Sequence, residues 1–502
     1  MFHAIAQQLS ANCSTRRTLL RSAGIVALAV IASRARAAQP VGPVMGQLSA
    51  YMAAARDREV PAAVVEKAKH HILDTFAAMI SGAYLTPGET AIRFARAYGG
   101  ERFATVVGSD VLCGPIEAAM ANGMLAHADE TDDSHAPSLS HPGCAVVPAA
   151  LAVGERFGID GTSFLRAIAL GYDIGPRATM TFGPIRLQRE QHRSTHSIAG
   201  VFGAAAAAGC AAGLDAQQMR WLIDYTAQQS SGIAAWQRDS EHIEKAFVFG
   251  GMPARSGVTA ALVVQAGWTG IDDILSGHDN FLIAHAPDAD PAGLVEKLGE
   301  RYELMRTNIK KWSVGSPIQA ALDALEILRR KRAFAANQVR QVIVRIGTLE
   351  AGVVNNRDIP DICLQHMVAV MLIDGTLSFQ ASHDVARMRD PAILAERAKV
   401  DLIGEDELER RAPRREAIVR VTLIDGTELL QHVEAVRGTA ENPMPRDEVI
   451  AKSRDLIAPI FGPETTTRLI DAVMTIESVK NIRELRPLLQ ATPVDRSNTK
   501  KR

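Results

Sequence analysis

The sequence predicts a mainly helical protein that is interrupted by a segment of mixed helices and strands. Aromatic residues make up only 5% of the chain and alanine is abundant, a composition that favours closely packed helices over a β sandwich. Apolar residues recur at helical spacing from Gly46 onward and again near the C-terminus. The chain has 502 residues, 47% of them hydrophobic, so we expect one large or two moderate domains.

Helical patterning opens the globular part of the chain. Pro61 stands where a first helical turn begins, and the apolar residues after it recur every three or four positions. Gly114-Pro115 opens a second helix that leads to His127, and Pro148 begins another. Residues 200–213 are mostly alanine and glycine without serine or proline, so we expect a buried packing helix there rather than a linker.

Strand-like alternation replaces the helical pattern after about residue 330. Residues 417–424 and 427–433 flank Asp425-Gly426, which is a strong hairpin signal. Pro443 and Pro445 mark the next boundary, and helical patterning returns at residues 447–456 and 463–473. The polar tail, residues 491–502, is expected to be loose.

The first residues have the character of an export signal. Residues 14–20 contain two consecutive arginines and resemble a twin-arginine motif, and an apolar run (23–32) and an A-x-A-like site (35–38) follow. The run of about ten residues is too short for a bilayer of roughly 30 Å. We therefore expect a signal peptide over residues 1–38, a periplasmic protein and no stable membrane anchor after cleavage. The alternative is an uncleaved N-terminus on a cytoplasmic protein.

The net charge and the spacing of the cysteines argue against a nucleic-acid-binding protein and against two kinds of metal site. The net charge of −1 gives no basic face, so we expect no nucleic-acid partner. The cysteines form no C-x-x-C pair, which argues against a zinc ribbon or an iron–sulfur cluster. We expect them to be small buried thiols.

The most informative stretch is the acidic segment, residues 127–143. Within fifteen positions it holds four carboxylates and three imidazoles, although charged side chains are rarely fully buried unless they are paired. It therefore predicts a place where protons or a metal are handled. His127, Asp129, Asp132 and His135 could act as metal ligands. The H-x-x-x-H pattern of zinc-binding helices is not present among them, however, and we expect no metal. The structural alternative is a capped turn, in which Asp132 and Ser134 bond backbone amides.

Several motifs in fixed order resemble the MmgE/PrpD family, which includes 2-methylcitrate dehydratase, cis-aconitate decarboxylase and iminodisuccinate epimerase. The resemblance spans roughly residues 45–485. It is carried by Leu73-Asp74-Thr75, residues 122–127, Asp132-Asp133, His141-Pro142-Gly143, residues 199–205, Lys245-Ala246, Gly250-Gly251, Asn308-Ile309-Lys310 and Val436-Arg437-Gly438.

The resemblance implies a large all-helical domain built from both chain ends (45–300 and 439–490) and a smaller α+β lid domain inserted between them (301–438). It also implies a homodimer that needs no metal or organic cofactor. The expected substrate is a small polycarboxylate, bound in a cleft between the two domains.

The family's catalytic residues can be placed on this chain by the resemblance. An ungapped match puts Glu130 on the family's first catalytic Asp and Ser134 on its Thr, while Asp129 replaces an apolar residue. The proton-accepting carboxylate is therefore Glu130 or Asp129. His141 matches the catalytic His, and Asp133 is expected to bind substrate.

A second group of histidines lies at residues 192–196. Ser194 occupies the family's His position and His196 its Thr position, so we expect His196 to act in catalysis and His192 to bind substrate. The alternative is that both are polar loop residues on the surface. Lys245 and Lys310 are expected to hold substrate carboxylates. Where the family often has a further His, this chain has Pro317 and Gln319.

These residues predict a cofactor-independent lyase, either a dehydratase or a decarboxylase, that abstracts a proton next to a carboxylate of a small di- or tricarboxylic acid. A hydro-lyase like 2-methylcitrate dehydratase is the first choice. An epimerase or racemase of a small dicarboxylate uses the same proton abstraction. The departures at Ser194 and Gln319 also leave open a catalytically inactive periplasmic binding protein.

Overall fold

The computed structural model describes residues 40–490. The predicted signal peptide (1–38) and the predicted tail (491–502) lie outside the described residues. Export to the periplasm and the homodimer stay predictions, because the first rests on those N-terminal residues and the second on the resemblance. The fold itself is mainly helical, as predicted.

The N-terminal part consists of helices joined by short connections and one small two-stranded ribbon. The ribbon pairs β1 (Ala104–Thr105) with β2 (Leu112–Cys113) in antiparallel fashion and was not predicted. The helices are Pro43–Ala54, Ala62–Gly82, Thr86–Tyr98, Pro115–Ala126, Gly143–Phe157, Gly161–Phe182, Thr195–Ala211, Ala216–Gln228, Ile243–Ala246, Met252–Gln265 and Phe281–His285.

Helix Thr195–Ala211 is the centre of this part, and every residue in it is buried. Its small residues allow other helices to approach closely: a Cβ added at Gly203 would lie 2.9 Å from the carbonyl oxygen of Gly171. The predicted buried packing helix is confirmed. Pro148, which was expected to begin a helix, instead lies inside helix Gly143–Phe157.

The mixed segment, residues 301–438, contains one four-stranded sheet. Its strands are β3 (Val339–Gly347), β4 (Val400–Glu405), β5 (Ala417–Leu423) and β6 (Glu428–Val433), in the order β4-β3-β5-β6. The β3–β4 pair is parallel and the other two pairs are antiparallel. The predicted hairpin at Asp425-Gly426 joins β5 to β6, with Gly426 at a φ of 87°.

Helices surround this sheet and share a hydrophobic core with it. Alternate residues of β3 and β5, such as Val342, Val344, Val419 and Val421, are buried in that core. The helices of the mixed segment are Ser316–Lys331, Thr348–Val354, Leu364–Asp374, Phe379–His383, Pro391–Arg397 and Asp406–Glu409.

The chain returns to the first helices after the mixed segment. Helix Arg446–Met474, which is interrupted at Gly462 (φ 76°), packs along helix Ala62–Gly82. A short final helix, Arg486–Leu489, follows. Both ends of the described chain thus meet in the helical part, while the domain boundaries 45–300, 301–438 and 439–490 stay predictions.

Two further expectations concern cysteines and membranes. Cys113, Cys144, Cys210 and Cys363 are buried free thiols, as predicted. Among residues 40–490, one helical run, Ile243–Gln265, is long and apolar enough to cross a bilayer, but 67% of its most apolar window is buried inside the structure. A core helix passes the same length and composition test.

Candidate active site

The acidic segment connects helix Pro115–Ala126 to helix Gly143–Phe157, and it is almost entirely buried. Two glycines bring the first of its flanking helices close to a neighbouring turn. A Cβ added at Gly123 would lie 2.4 Å from the carbonyl oxygen of Gly250, and one at Gly250 would lie 2.0 Å from that of Gly123. This backbone-to-backbone approach brings the π-helical turn Phe247–Gly251 against the start of the segment.

Asp133 stabilises the acidic segment through hydrogen bonds to buried groups around it. Its carboxylate accepts hydrogen bonds from the backbone N–H of Gly143 (3.0 Å), the hydroxyl of Tyr172 (2.6 Å) and Nδ1 of His71 (2.9 Å). Burial lowers the pKa of His71 to about 4, so its ring is neutral. The substrate-binding role of Asp133 stays a prediction; in the structure three protein donors already occupy this carboxylate, which is 1% exposed.

Asp132 bridges two imidazoles. One carboxylate oxygen lies 3.0 Å from Nδ1 of His127 and the other lies 3.0 Å from Nδ1 of His141. Burial raises the pKa of Asp132, but His127, His141 and Lys310 outweigh burial and hold it well below its usual value. Because both Nδ1 atoms face Asp132, each ring presents Nε2 on its far side.

His141 is the member of this pair whose side chain is partly exposed. Its side chain is 11% exposed, whereas that of His127 is fully buried. Burial lowers the pKa of His141 to about 4, so the ring is neutral near pH 7 and its Nε2 can accept a proton. The placement agrees with the catalytic role predicted for His141.

Phe249 organises the histidines into a stack. Its ring lies between His196, at a centroid distance of 3.7 Å, and His127, at 4.4 Å, both nearly parallel to it. His196 comes from the start of helix Thr195–Ala211 and lies 5.2 Å from His141. Burial lowers the pKa of His196 well below its usual value, and its Nδ1 has no hydrogen-bond partner. The structure thus brings His141 and His196 together.

Two lysines from distant parts of the chain converge on Glu130. Lys245 Nζ contacts Oε1 of Glu130. Lys310 Nζ donates to the Glu130 carbonyl (2.8 Å) and lies 3.5 Å from Oε2 of Glu130 and 3.6 Å from Oδ1 of Asp132. Burial raises the pKa of Glu130, but the two ammonium groups outweigh it and keep that pKa well below its usual value.

The carboxylate oxygens of Asp129 already have hydrogen-bond and ion-pair partners. Its oxygens accept from the backbone N–H (3.0 Å) and the hydroxyl (2.5 Å) of Thr131, and Oδ2 lies 2.8 Å from Nε2 of His383. The sequence offered Glu130 or Asp129 as the proton acceptor. Which of the two is the proton acceptor stays a prediction. The oxygens of Asp129 already have partners, and Glu130, held by two ammonium groups, is a weak base in this arrangement.

His383 was missed by the sequence analysis. It lies on helix Phe379–His383 of the mixed segment and donates from Nδ1 to the carbonyl of Phe379 (2.8 Å). Burial lowers its pKa, but Asp129 and Asp361 outweigh burial and raise that pKa to about 9, so the ring is charged at neutral pH. No motif near residue 383 marked it, and only the tertiary fold brings it to Asp129.

Lys452 was also missed. It comes from helix Arg446–Met474 and donates from Nζ to the carbonyl of Thr131 (2.9 Å), while also lying 2.6 Å from Oδ1 of Asp74. Burial raises the pKa of Asp74 to about 6 despite this ammonium group. The only feature of the sequence that pointed to this ion pair was Asp74 in the Leu73-Asp74-Thr75 motif.

The other predicted residues lie away from the histidine stack or act through their backbone. The backbone of Ser134 pairs with that of Asn308 (3.0 and 2.8 Å), which ties the acidic segment to the lysine-bearing segment. His192 is exposed at a φ of 56° and no contact among the described residues joins it to the stack, and its substrate-binding role stays a prediction. Ser194 caps helix Thr195–Ala211 by accepting from the N–H of Ser197.

The metal-ligand set considered from the sequence does not assemble. Asp129 is held by Thr131 and His383, and His135 lies 2.8 Å from the Ser138 hydroxyl and 3.2 Å from Glu303. A different histidine, His242, approaches the site at a φ of 62°. It groups with His127 and Glu130, and a second group comprises His127, Asp132 and His141.

The fold and this cluster together define a helical protein with a buried acid–base site and two converging lysines. Family models cover both parts of the chain: the MmgE/PrpD N-terminal domain matches residues 46–293 and the MmgE/PrpD C-terminal domain matches residues 312–477. The chain therefore belongs to the MmgE/PrpD family, as the sequence predicted.

The chain is also similar to proteins named as cis-aconitate decarboxylases. It is 24% identical over 491 residues to the cis-aconitate decarboxylase-like protein oryM of Aspergillus oryzae, across 90% of this chain and 98% of the relative. It is 25% identical over 462 residues to the cis-aconitate decarboxylase of Aspergillus terreus (86% and 92%). With the human cis-aconitate decarboxylase the identity is 22% over 449 residues (85% and 90%).

Proposed function

We propose that this protein is a lyase that removes carbon dioxide or water from a small di- or tricarboxylic acid, at a carbon next to a carboxylate. One observation carries the proposal: Lys310 Nζ lies 3.6 Å from the Asp132 carboxylate that orients the neutral imidazole of His141, and Lys245 contacts Glu130, which Lys310 also approaches. Family membership and the names of the relatives support the same class of reaction.

The lysines would anchor a substrate carboxylate. In the structure their charges are taken up by Glu130, so a substrate carboxylate must replace Glu130 as a partner of at least one ammonium group. Lys245 is the one able to exchange partners, because its side chain is 18% exposed whereas that of Lys310 is 2% exposed. Charge developing on the substrate carboxylate in the transition state would then be stabilised by the same groups.

His141 would carry the proton. Its Nδ1–H donates to Asp132, so Nε2 holds the lone pair that takes a proton from the carbon next to the carboxylate. Asp132 then stabilises the imidazolium that forms. For dehydration, this abstraction is paired with a second proton that must reach the departing hydroxyl group. Decarboxylation needs no abstraction: carbon dioxide leaves, the electron pair of the broken carbon–carbon bond stays on the substrate, and a proton that Nε2 of His141 has taken up from solvent must be delivered to that carbanion. His196, 5.2 Å from His141 between ring centroids, is the second group that we place in this proton transfer.

The choice between the two eliminations follows the relatives. The resemblance favoured dehydration, but the relatives are named as decarboxylases. We therefore place loss of carbon dioxide first and dehydration second. Epimerisation, which needs abstraction and return of a proton without a leaving group, is separated from both by the experiment below.

The test is proton NMR in deuterated buffer with cis-aconitate, citrate and 2-methylcitrate as a first panel. We expect wild type to release carbon dioxide or to form an alkene from at least one acid. His141→Gln should slow that reaction by about 10²–10⁴-fold, the usual contribution of a positioned acid or base. His278→Gln, at a histidine whose side chain is 92% exposed, is the matched control and should keep wild-type activity.

Two outcomes would count against the proposal. Deuterium exchange without any product would indicate an epimerase. Micromolar binding of an acid with neither exchange nor product would indicate a binding protein of this fold.

A further inference from the structure

We propose that His127, Glu130 and His242 form a binding site for a divalent transition metal ion, for which Zn²⁺ is the best match. One ligand atom from each of the three residues lies within 4.8 Å of the other two. Two imidazoles and a carboxylate are a common set of three protein ligands for zinc, with a fourth position left open. The proposal uses geometry alone and does not depend on the proposed reaction.

The two imidazole nitrogens are the strongest evidence. Nε2 of His127 and Nε2 of His242 are both buried and have no hydrogen-bond partner. A buried polar atom without a partner is destabilising, and an ion that accepts both lone pairs removes that cost.

His127 is already oriented as metal-binding histidines usually are. Its Nδ1–H donates to Asp132 at 3.0 Å, which fixes the tautomer that leaves Nε2 free to bind. A carboxylate behind a metal-binding histidine is a recurrent arrangement that raises the basicity of the ring. The alternative group of His127, Asp132 and His141 is less suitable, because Asp132 there already bonds both rings through Nδ1.

The ammonium group of Lys245 is the competitor for this site. It contacts Glu130, and metal binding requires it to leave that carboxylate. Its side chain is partly exposed, and once it has left, Glu130 and Asp132 face only the charge of Lys310, so the pocket has a net negative charge. The site therefore alternates between Lys245 and a metal ion as the cation beside Glu130.

This site departs from what the resemblance implied. The resemblance led us to expect no metal, and His242 was not among the residues that it supplied. The structure adds His242 because the backbone turn at that residue directs the ring towards His127, with 5.2 Å between ring centroids.

The experiment measures zinc binding to the purified full-length chain by equilibrium dialysis against zinc chloride, with elemental analysis. We expect one zinc ion per wild-type chain. His242→Ala should weaken binding by at least about tenfold, the lower end of what even outer-shell partners of metal sites contribute. Lys245→Met should strengthen binding, because it removes the competing ammonium group.

His192→Ala is the matched control, since it deletes an exposed histidine that lies outside the group, and it should bind zinc as wild type does. Circular dichroism of each variant establishes that it is folded, and His242→Gln replaces His242→Ala if the alanine variant is not. The proposal is overturned if wild type binds no stoichiometric zinc. It is equally overturned if neither His242 variant weakens binding, or if Lys245→Met leaves binding unchanged or weaker.

Discussion

Adjacent carboxylates in the acidic segment have opposite surroundings. Asp132 orients two imidazoles whose free nitrogens face away from it, while Asp133 bonds a helix N-terminus, a tyrosine and a third imidazole. Asp132 therefore belongs to the chemistry of the site and Asp133 to its support. The distinction arises because successive side chains of the segment point to different neighbours.

Replacing Asp133 tests whether this residue stabilises the fold rather than binding substrate. Asp133→Asn should lower the free energy of unfolding by about 1–3 kcal/mol, because it weakens buried hydrogen bonds to a charged group. Urea denaturation measures the loss. Tyr172→Phe removes one donor to the same carboxylate, so the two substitutions should be non-additive in a double-mutant cycle, by about 0.5–3 kcal/mol. Unchanged stability together with a large increase in KM would instead support the substrate-binding role.

At the scale of elements, helix Phe379–His383 connects the mixed segment to the acidic segment. Its contribution is the ion pair between His383 and Asp129, with Asp361 3.8 Å from the same nitrogen. Asp129 in turn holds the backbone and hydroxyl of Thr131, which lies between Glu130 and Asp132. The charge on His383 therefore bears on how firmly Glu130 and Asp132, the residues on either side of Thr131, are positioned.

This ion pair predicts a pH dependence of stability. The pKa of His383 is about 9 in the folded protein, above its ordinary value of 6.5. The stabilisation is thus complete below about pH 6.5 and is lost as the pH rises through 9. We expect the free energy of unfolding to fall by on the order of 2 kcal/mol across that interval. The measurement is urea denaturation at a series of pH values.

The groups that face His383 are Asp129, Asp361, the Phe379 carbonyl and the Ser382 hydroxyl. The pKa of Asp129 is lowered and that of Asp361 is about 6, so neither carboxylate accounts for a loss of stability between pH 6.5 and 9. His383→Gln is the control, and its stability should be flat over the same interval. A wild-type profile that matches that of His383→Gln would show that the ion pair does not stabilise the fold.

At the scale of the whole molecule, the sequence predicted the course of the chain better than the contacts of the site. Helical and strand-like spacing is local, so the mixed segment, the hairpin at Asp425-Gly426 and the alanine-rich core helix could all be predicted. His141, His196, Lys245 and Lys310 were found through motif order. His383, Lys452 and His242 lie in no motif, and only folding brings them to the acidic segment.

The roles of neighbouring residues were the harder part to predict. A sequence shows that Asp129 and Asp133 are carboxylates, but not that Thr131, Tyr172 and His71 occupy their oxygens. The same limit applies to Ser194, whose side chain caps a helix, and to Gln319, whose amide bonds the backbone of Trp312 and Val314. In each case the partner that decides the role is supplied by another element.

Lys452 links the C-terminal end of the fold to the site, and this link can be tested. It neutralises buried Asp74 and donates to the carbonyl of Thr131. Lys452→Met should lower the free energy of unfolding by about 3–5 kcal/mol, because Asp74 is left as a buried carboxylate without its partner. Urea denaturation and turnover of the substrate found by NMR are the two measurements.

Adding Asp74→Asn to Lys452→Met separates the two contacts. The double variant has no unpaired charge, so it should recover much of the lost stability. Its turnover should stay low, because the Thr131 carbonyl still has no donor and the backbone between Glu130 and Asp132 is less firmly held. Recovery of both stability and turnover would mean that Lys452 only neutralises Asp74. Recovery of neither would mean that the bond to Thr131 also carries the stability of the fold.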